Sequence, residues 1–388
     1  MNDRMISILD NYDMTVLRTW KGRSAILCET EKGIRILKEY TGPKDKLCVL
    51  EAVTEKLRDA GFLTDCLVRN KEGELSVTDR DRTVYILKEY REGRECSVTD
   101  IGDCIRAVRG LAGIHRVLQI PQPEEIKPQR LPQAKPEAQA EQPAETEQPT
   151  DVGQPTDGEQ STETGKLPEP ERVGEAELCM EPEPEERPFE FRMFRPEEEY
   201  ERYNKELKRI WKHLREKSSK TDFEVFLLRH YAFFMEQARE VLERIKAEKS
   251  TAYSMREAAK GRLCHGDFQH HNILFTGEGM TVINYEKCMQ DIQIRDFYLF
   301  FRKVMEKNGW NPSVGEQLLN GYTAVRPIEE QELRQFGLRL AYPEKFRKVV
   351  SYYYNSGKSW IPGKNREKLE RLLAQEEARQ SFLKTLIG

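Results

Sequence analysis

The chain has 388 residues, enough for two or three domains' worth of core, with 38% hydrophobic and 34% charged residues and a formal net charge of −4. It has no apolar run long enough to form a membrane-spanning helix, and Met1-Asn2-Asp3-Arg4-Met5 lacks the basic and apolar regions of an export signal. The charge is uneven: residues 121–188 hold 13 of the 19 prolines, 18 acidic and 6 basic residues, which leaves 57 basic against 49 acidic elsewhere. That basic excess suits a phosphate-bearing ligand or an acidic partner. The eight cysteines form no C-x-x-C pair or zinc spacing and read as free thiols of a reducing compartment.

Residues 13–40 read as a small antiparallel sheet. Met14–Thr19 and Ser24–Glu29 are strands, Thr30-Glu31-Lys32-Gly33 is a turn, and Ile34–Tyr40 is a third strand carrying Lys38 near its end. A lysine there is placed to reach nucleotide phosphates. The turn Trp20-Lys21-Gly22-Arg23-Ser24 stands where a phosphate loop belongs; it has one glycine, and it offers phosphate its N–H groups, Ser24 and two cations. Asp45–Ala60 places Leu47, Leu50, Val53 and Leu57 on one helical face and ends at Gly61. Glu51 and Glu55 lie one turn apart on it; either is placed to pair with Lys38, and Glu51 is preferred. Strands around Cys66–Val68 and Leu75–Thr78 precede a buried strand, Thr83–Tyr90. The extended link Arg91-Glu92-Gly93-Arg94-Glu95 reads as a hinge, with backbone groups near Glu89 and Tyr90 meeting an adenine edge.

Ser97 or Thr99 is expected to cap a helix running to His115. After Ile120 the periodicity stops. Pro121–Pro188 has too few large apolar residues to offset the entropy of ordering and reads as a disordered acidic insertion. Two long helices follow, Pro196–Lys217 and Thr221–Lys249, whose aromatic stripes belong to a core.

The most specific stretch is His265-Gly266-Asp267-Phe268-Gln269-His270-His271-Asn272, running into Ile273-Leu274-Phe275. An aspartate that takes the proton of an attacking hydroxyl, with an asparagine five residues on as a metal ligand, is the pattern of a phosphotransferase catalytic loop. Asp267 is the candidate base. The strand Met280–Ile283 then delivers Asn284-Tyr285-Glu286, where a magnesium-chelating aspartate is expected; the neutral amide of Asn284 is a weaker ligand, and Glu286 is its candidate substitute. Asn272, Asn284 and Glu286 thus form the candidate metal set, and ATP with magnesium the expected cofactors of an active enzyme. Asp296 is expected to cap the next helix or to hold the loop from behind, Asp291 to be solvated, and His265 to orient the loop. His270 and His271 are expected at the surface or near an acceptor. Tyr352-Tyr353-Tyr354 and the turn Asn355-Ser356-Gly357 lead to a final helix, Arg366–Leu386.

These residues resemble a known family. His265-Gly266-Asp267 with Asn272, and the run Val282–Cys288, are similar to the aminoglycoside phosphotransferase and choline kinase-like superfamily. Ile86–Tyr90 with Glu92–Cys96, Arg302–Trp310, Tyr342–Phe346 and Tyr352–Pro362 narrow the resemblance to CotS-type spore coat proteins of endospore-forming bacteria. The resemblance implies an α+β, two-lobed protein kinase-like fold: a small antiparallel-sheet lobe (1–91), a hinge and first part of the helical lobe (92–120), the insertion (121–190) and the helical lobe with the catalytic-type loop (191–388). It implies production in the mother-cell cytoplasm, then assembly into the spore coat with other coat proteins as partners. By position it makes Asp267 the base, Asn272 a metal ligand and Lys38 the phosphate lysine, in either a nucleotide-binding coat protein or an active kinase acting on a hydroxyl of a small molecule, saccharide or coat protein. No nucleic-acid partner and no membrane span are expected.

Overall fold

The computed structural model describes residues 3–23, 25–121, 125, 189–191, 193–355 and 362–387. Ser24, Cys179, the Pro/Glu-rich stretch 126–188 and the turn residues Ser356 and Gly357 lie outside them. Residues 1–130 and 188–388 form one unit.

Helix α1 (Asp3–Leu9) precedes the antiparallel strands β1 (Val16–Gly22), β2 (Ala25–Thr30) and β3 (Gly33–Tyr40). Helix α2 (Lys46–Asp59) leads to β4 (Leu63–Thr64), and β5 (Leu67–Val68), β6 (Val77–Thr78) and β7 (Val84–Glu89) return to complete a sheet in which β3 pairs with β7. The side chains of β7 alternate with the period of two that a strand imposes. Tyr85 and Leu87 pack with Ile8, Leu9 and Tyr12, while Ile86 packs with Leu50, Val53 and Tyr40. Lys88 falls on the face of Ile86. In the β3–β7 register Lys38 lies opposite Ile86, and Ile36 opposite Lys88, so the two lysines share one face two positions apart.

Past the link, β8 (Arg94–Glu95) pairs with β9 (Ile273–Thr276), which forms a hairpin with β10 (Gly279–Val282); β4 pairs in parallel with the far side of β10. This second sheet, in the order β4-β10-β9-β8, contains strands of both lobes. The crossing at Gly93 is tight: a Cβ there would lie 3.0 Å from Leu274 Cβ and 3.1 Å from the Phe275 carbonyl oxygen.

The helical lobe comprises α3 (Ile101–Val117), α4 (Pro196–Glu216), α5 (Asp222–Ala247), α6 (Ser250–Ala258), α7 (Ile294–Lys307), α8 (Pro312–Thr323), α9 (Glu330–Ala341), α10 (Glu344–Asn355), α11 (Pro362–Ala374) and α12 (Glu376–Ile387). Helix α5 begins with a capping box, Thr221 accepting from the Glu224 N–H while the Glu224 carboxylate accepts from the Thr221 N–H. The cap of α3 corrects the expectation. Asp100 accepts the Asp103 N–H at 3.1 Å, and the Ser97 and Thr99 hydroxyls bond each other at 3.0 Å instead. The single final helix is also corrected to two. Leu369 packs into the cluster of Leu207, Phe223 and Phe346, whereas Phe382 and Leu383 belong to the main core with Phe297 and Phe301. The chain turns at Gln375, between α11 and α12, and each helix reaches its own cluster. Tyr353 packs against Phe223, and the Tyr354 hydroxyl donates to Glu224 at 3.3 Å. The seven described cysteines are free thiols, and no described helix is long and apolar enough to cross a membrane.

Candidate active site

The catalytic-type loop is fastened from behind by Asp296, which sits fully buried in the first turn of α7. Its carboxylate accepts the backbone N–H of His265 at 2.6 Å and of Gly266 at 3.0 Å. Burial opposes its charge, but the hydrogen bonds from His115 and the loop amide hold the carboxyl below its ordinary range. Of its two expected roles, loop support is the one it performs; Gln293 occupies the helix N-cap position.

His265 Nε2 approaches the Ile283 carbonyl oxygen at 3.0 Å, so this nitrogen carries the proton, and Nδ1 accepts the Asp267 N–H at 3.1 Å. Burial pushes its pKa below the usual value. It is a neutral positioning residue. Gly266 lies at φ +80°, and a Cβ there would stand 2.0 Å from the Lys287 carbonyl oxygen.

Asp267 therefore projects from a held backbone. Its carboxylate accepts from Gln269 Nε2 at 2.5 Å and Lys287 Nζ at 2.9 Å. These bonds outweigh burial and keep its pKa below the ordinary value. Asn272 donates through Nδ2 to the Asp267 carbonyl oxygen at 2.8 Å and accepts at Oδ1 from Asn284 Nδ2 at 2.9 Å. Asn284 adopts a left-handed conformation, φ 68° and ψ 58°, which asparagine tolerates better than most residues. Its N–H points at both carboxylate oxygens of Asp65 (3.1 Å each), and its Oδ1 accepts from Lys38 Nζ at 3.3 Å.

Behind these amides lies a buried charge cluster. Glu286 Oε1 accepts from Lys38 at 3.2 Å and from Lys88 at 2.9 Å, and Lys88 Nζ lies 2.5 Å from Asp65 Oδ2. Burial works against the charges of Lys88, Asp65 and Glu286, and it leaves the Asp65 carboxyl above its ordinary value even beside Lys88. The neighbouring carboxylates nevertheless hold the Lys88 pKa above its usual value, and Lys88 with Lys38 pulls Glu286 down to about 2.

The structure thus brings Lys38, Asp267, Asn272, Asn284 and Glu286 together, and it separates Glu51 from them. Glu51 forms a two-pronged pair with Arg69, Nε at 2.8 Å and Nη2 at 2.5 Å, because its face of α2 turns to the β5 end of the sheet. Glu51→Gln is expected to lower thermal stability by about 1–2 kcal/mol, the scale of a charge-assisted bond, and to leave nucleotide affinity within about twofold. Melting curves and a nucleotide titration check both halves.

Glu89 and Tyr90 line the cleft, but their N–H groups donate to the Cys66 (2.9 Å) and Ile34 (3.2 Å) carbonyls and are spent within the small lobe. Asp291, expected in solvent, is fully buried between Arg339 (3.4 Å) and Arg295 (3.5 Å), because the loop that carries it folds under α9. His271 lines the cleft.

Sequence reasoning missed Asp65, Lys88 and Lys287. The signal for Lys88 was available: a lysine at an inward-facing position of the apolar run Val84-Tyr85-Ile86-Leu87. Asp65 and Lys287 have no such mark. Lys38, Asp65, Asp267, Asn272, Asn284, Glu286 and Lys287 line a cleft of about 580 Å³ between the sheet and the loop, with Lys88 behind them. Among the described residues, each carboxylate lining it has a cation partner. Asp65 has Lys88, Glu89 has Arg91, Glu95 has Arg23, Asp267 has Lys287, and Glu286 has two lysines.

The chain is similar to known proteins in sequence and in fold. Residues 197–386 match the family model described as spore coat putative kinase YutH. Spore coat protein S of Bacillus subtilis (strain 168) is 24% identical over 166 residues, 42% of this chain and 47% of that protein, so the match spans about half the length of that curated relative. An aminoglycoside phosphotransferase from Alicyclobacillus acidocaldarius superposes with a TM-score of 0.69 at 16% identity, covering 98% of this chain and 94% of that one. A spectinomycin phosphotransferase in complex with ADP and spectinomycin gives 0.54 at 12% identity, covering 97% and 93%. An amicoumacin kinase in complex with AMP-PNP, Ca2+ and Ami gives 0.52 at 12%, covering 98% and 94%. At these identities the structural likeness fixes the two-lobed kinase-like fold and no more.

Proposed function

Because the chain is a kinase-like relative of the spore coat proteins, we propose that it is itself a spore coat protein, made in the mother-cell cytoplasm and assembled with other coat proteins, whose interlobe cleft binds a nucleotide. The observation that carries the nucleotide is the convergence of Lys38 with Asp267, Asn272 and Asn284 on one cleft, from strands and a loop far apart in sequence. Calorimetric titration of the full-length chain with ATP is expected to give saturable heat. No binding at millimolar ATP would remove the reading.

A second reading is an ATP- and magnesium-dependent phosphotransferase acting on a hydroxyl of a small molecule, saccharide or coat protein. It is favoured by one feature, the ionised Asp267 held at the cleft by His265 and Asn272. A general base must be charged at working pH and within reach of the hydroxyl, and Asp267 meets the first condition. If phosphate transfer is detected, Asp267→Ala is expected to lower it by about 10²–10⁴-fold with the melting curve intact. Unchanged turnover excludes Asp267 as the base.

A further inference from the structure

We infer that the cleft takes a nucleoside triphosphate without a divalent cation, its own lysines supplying the positive charge. This rests on the nucleotide-binding reading above and adds how the phosphate charge is met. A magnesium ion needs oxygen ligands with unspent negative charge. The two side chains at the metal positions are amides, and both oxygens are engaged. Asn272 Oδ1 accepts from Asn284 Nδ2 at 2.9 Å, and Asn284 Oδ1 accepts from Lys38 Nζ at 3.3 Å. The nearby carboxylate, Glu286, has one oxygen shared by Lys38 at 3.2 Å and Lys88 at 2.9 Å. Asp267 has Lys287 at 2.9 Å. Among the described residues, no three His, Cys, Asp or Glu side chains converge into a metal-holding group. The donor set therefore does not fit a divalent cation.

It does fit a polyanion. Glu286 keeps Lys88 as a partner when Lys38 turns to a phosphate, so releasing Lys38 strands no buried charge. The Lys287 side chain is 69% exposed and leaves Asp267 by side-chain rotation alone. Both are flexible ammonium groups at the cleft, and each phosphate oxygen they meet forms a charge-assisted hydrogen bond. Asn284 completes the arrangement: with a carboxylate at that position the cluster would carry one more negative charge and call for a metal.

The test is ATP titration of the full-length chain by calorimetry, in chelator and in excess magnesium. Affinity in chelator is expected to equal or exceed that in magnesium. Lys287→Met, an exposed substitution that leaves the fold intact, is expected to weaken binding in chelator about tenfold, the loss of one charge-assisted contact. Asn284→Asp, checked for folding by its melting temperature, is expected to reverse the preference and bind more tightly with magnesium. If wild-type affinity falls tenfold or more on chelation, or if Lys287→Met leaves it unchanged, the inference is wrong while the nucleotide reading stands. Absence of heat in both conditions removes both.

Discussion

Replacing Lys88 with methionine is expected to destabilise the fold by ~3–5 kcal/mol at neutral pH, the scale for breaking a buried ion pair from one side. The lysine is 4% exposed and Asp65 is 2% exposed, so the substitution leaves Asp65 as a carboxylate that water cannot reach. The variant keeps the apolar stem and the packing of β7, which isolates the charge. A pH series separates this from a packing loss. In the native protein Glu286 titrates at about 2 against an ordinary 4.5. A depressed carboxyl contributes stability in full above its unfolded pKa and loses it as pH falls through the folded value, so the native protein weakens as pH drops from about 4.5 toward 2. In Lys88→Met the sign inverts. Glu286 keeps Lys38, but Asp65 loses its lysine; burial already holds its carboxyl above the ordinary value, the loss raises it further, and protonating it relieves the penalty. The gap between the two melting temperatures is therefore expected to shrink on acidification from pH 7 to 4. A gap constant with pH would assign the loss to packing.

Gly266→Ala is expected to cost ~2–4 kcal/mol and to remove any transfer activity. Two effects add. A non-glycine residue at φ +80° carries backbone strain, and its Cβ would stand 2.0 Å from the Lys287 carbonyl oxygen, a backbone atom that cannot rotate away. Relief comes only by parting the loop from the Tyr285–Lys287 turn. That parts Asp267 from Lys287 and loosens the amide pair Asn272–Asn284. Thermal melting measures the first effect and a phosphate-transfer assay the second, while an unchanged nucleotide affinity would show that the loop and the turn move independently.

The loop was legible because its parts are local: an aspartate, an asparagine five residues on and an apolar strand. Lys38 was legible because a strand period and a turn place it. What failed were the pairings across the fold. A helix surface shows where Glu51 and Glu55 stand, but not that Arg69, 18 residues away, is the cation that reaches Glu51 first. Asp291 sits in a loop, where a carboxylate is ordinarily wet, and only the arrival of Arg339 from α9 makes its burial tolerable. Asp65 likewise depends on Lys88 and on the N–H of Asn284, 219 residues later. In each case a buried charge was settled by a partner that no short window of sequence contains.

The β4-β10-β9-β8 sheet has a mechanical meaning. Both ends of the small lobe's last segment are sewn into it: Leu63–Thr64 run alongside Thr281–Val282, and Arg94–Glu95 alongside Leu274–Phe275. The Cys96 N–H adds a bond to the Ile273 carbonyl oxygen at 2.9 Å, and Arg91 Nε reaches the Thr64 carbonyl oxygen at 2.9 Å. Swinging one lobe from the other would break the parallel pairing of Leu63–Thr64 with Thr281–Val282. Opening the cleft therefore has a cost in backbone hydrogen bonds. Lys287 and Arg23 stand at its rim on exposed, rotatable side chains, and the shared sheet is expected to make the two lobes unfold as one cooperative body.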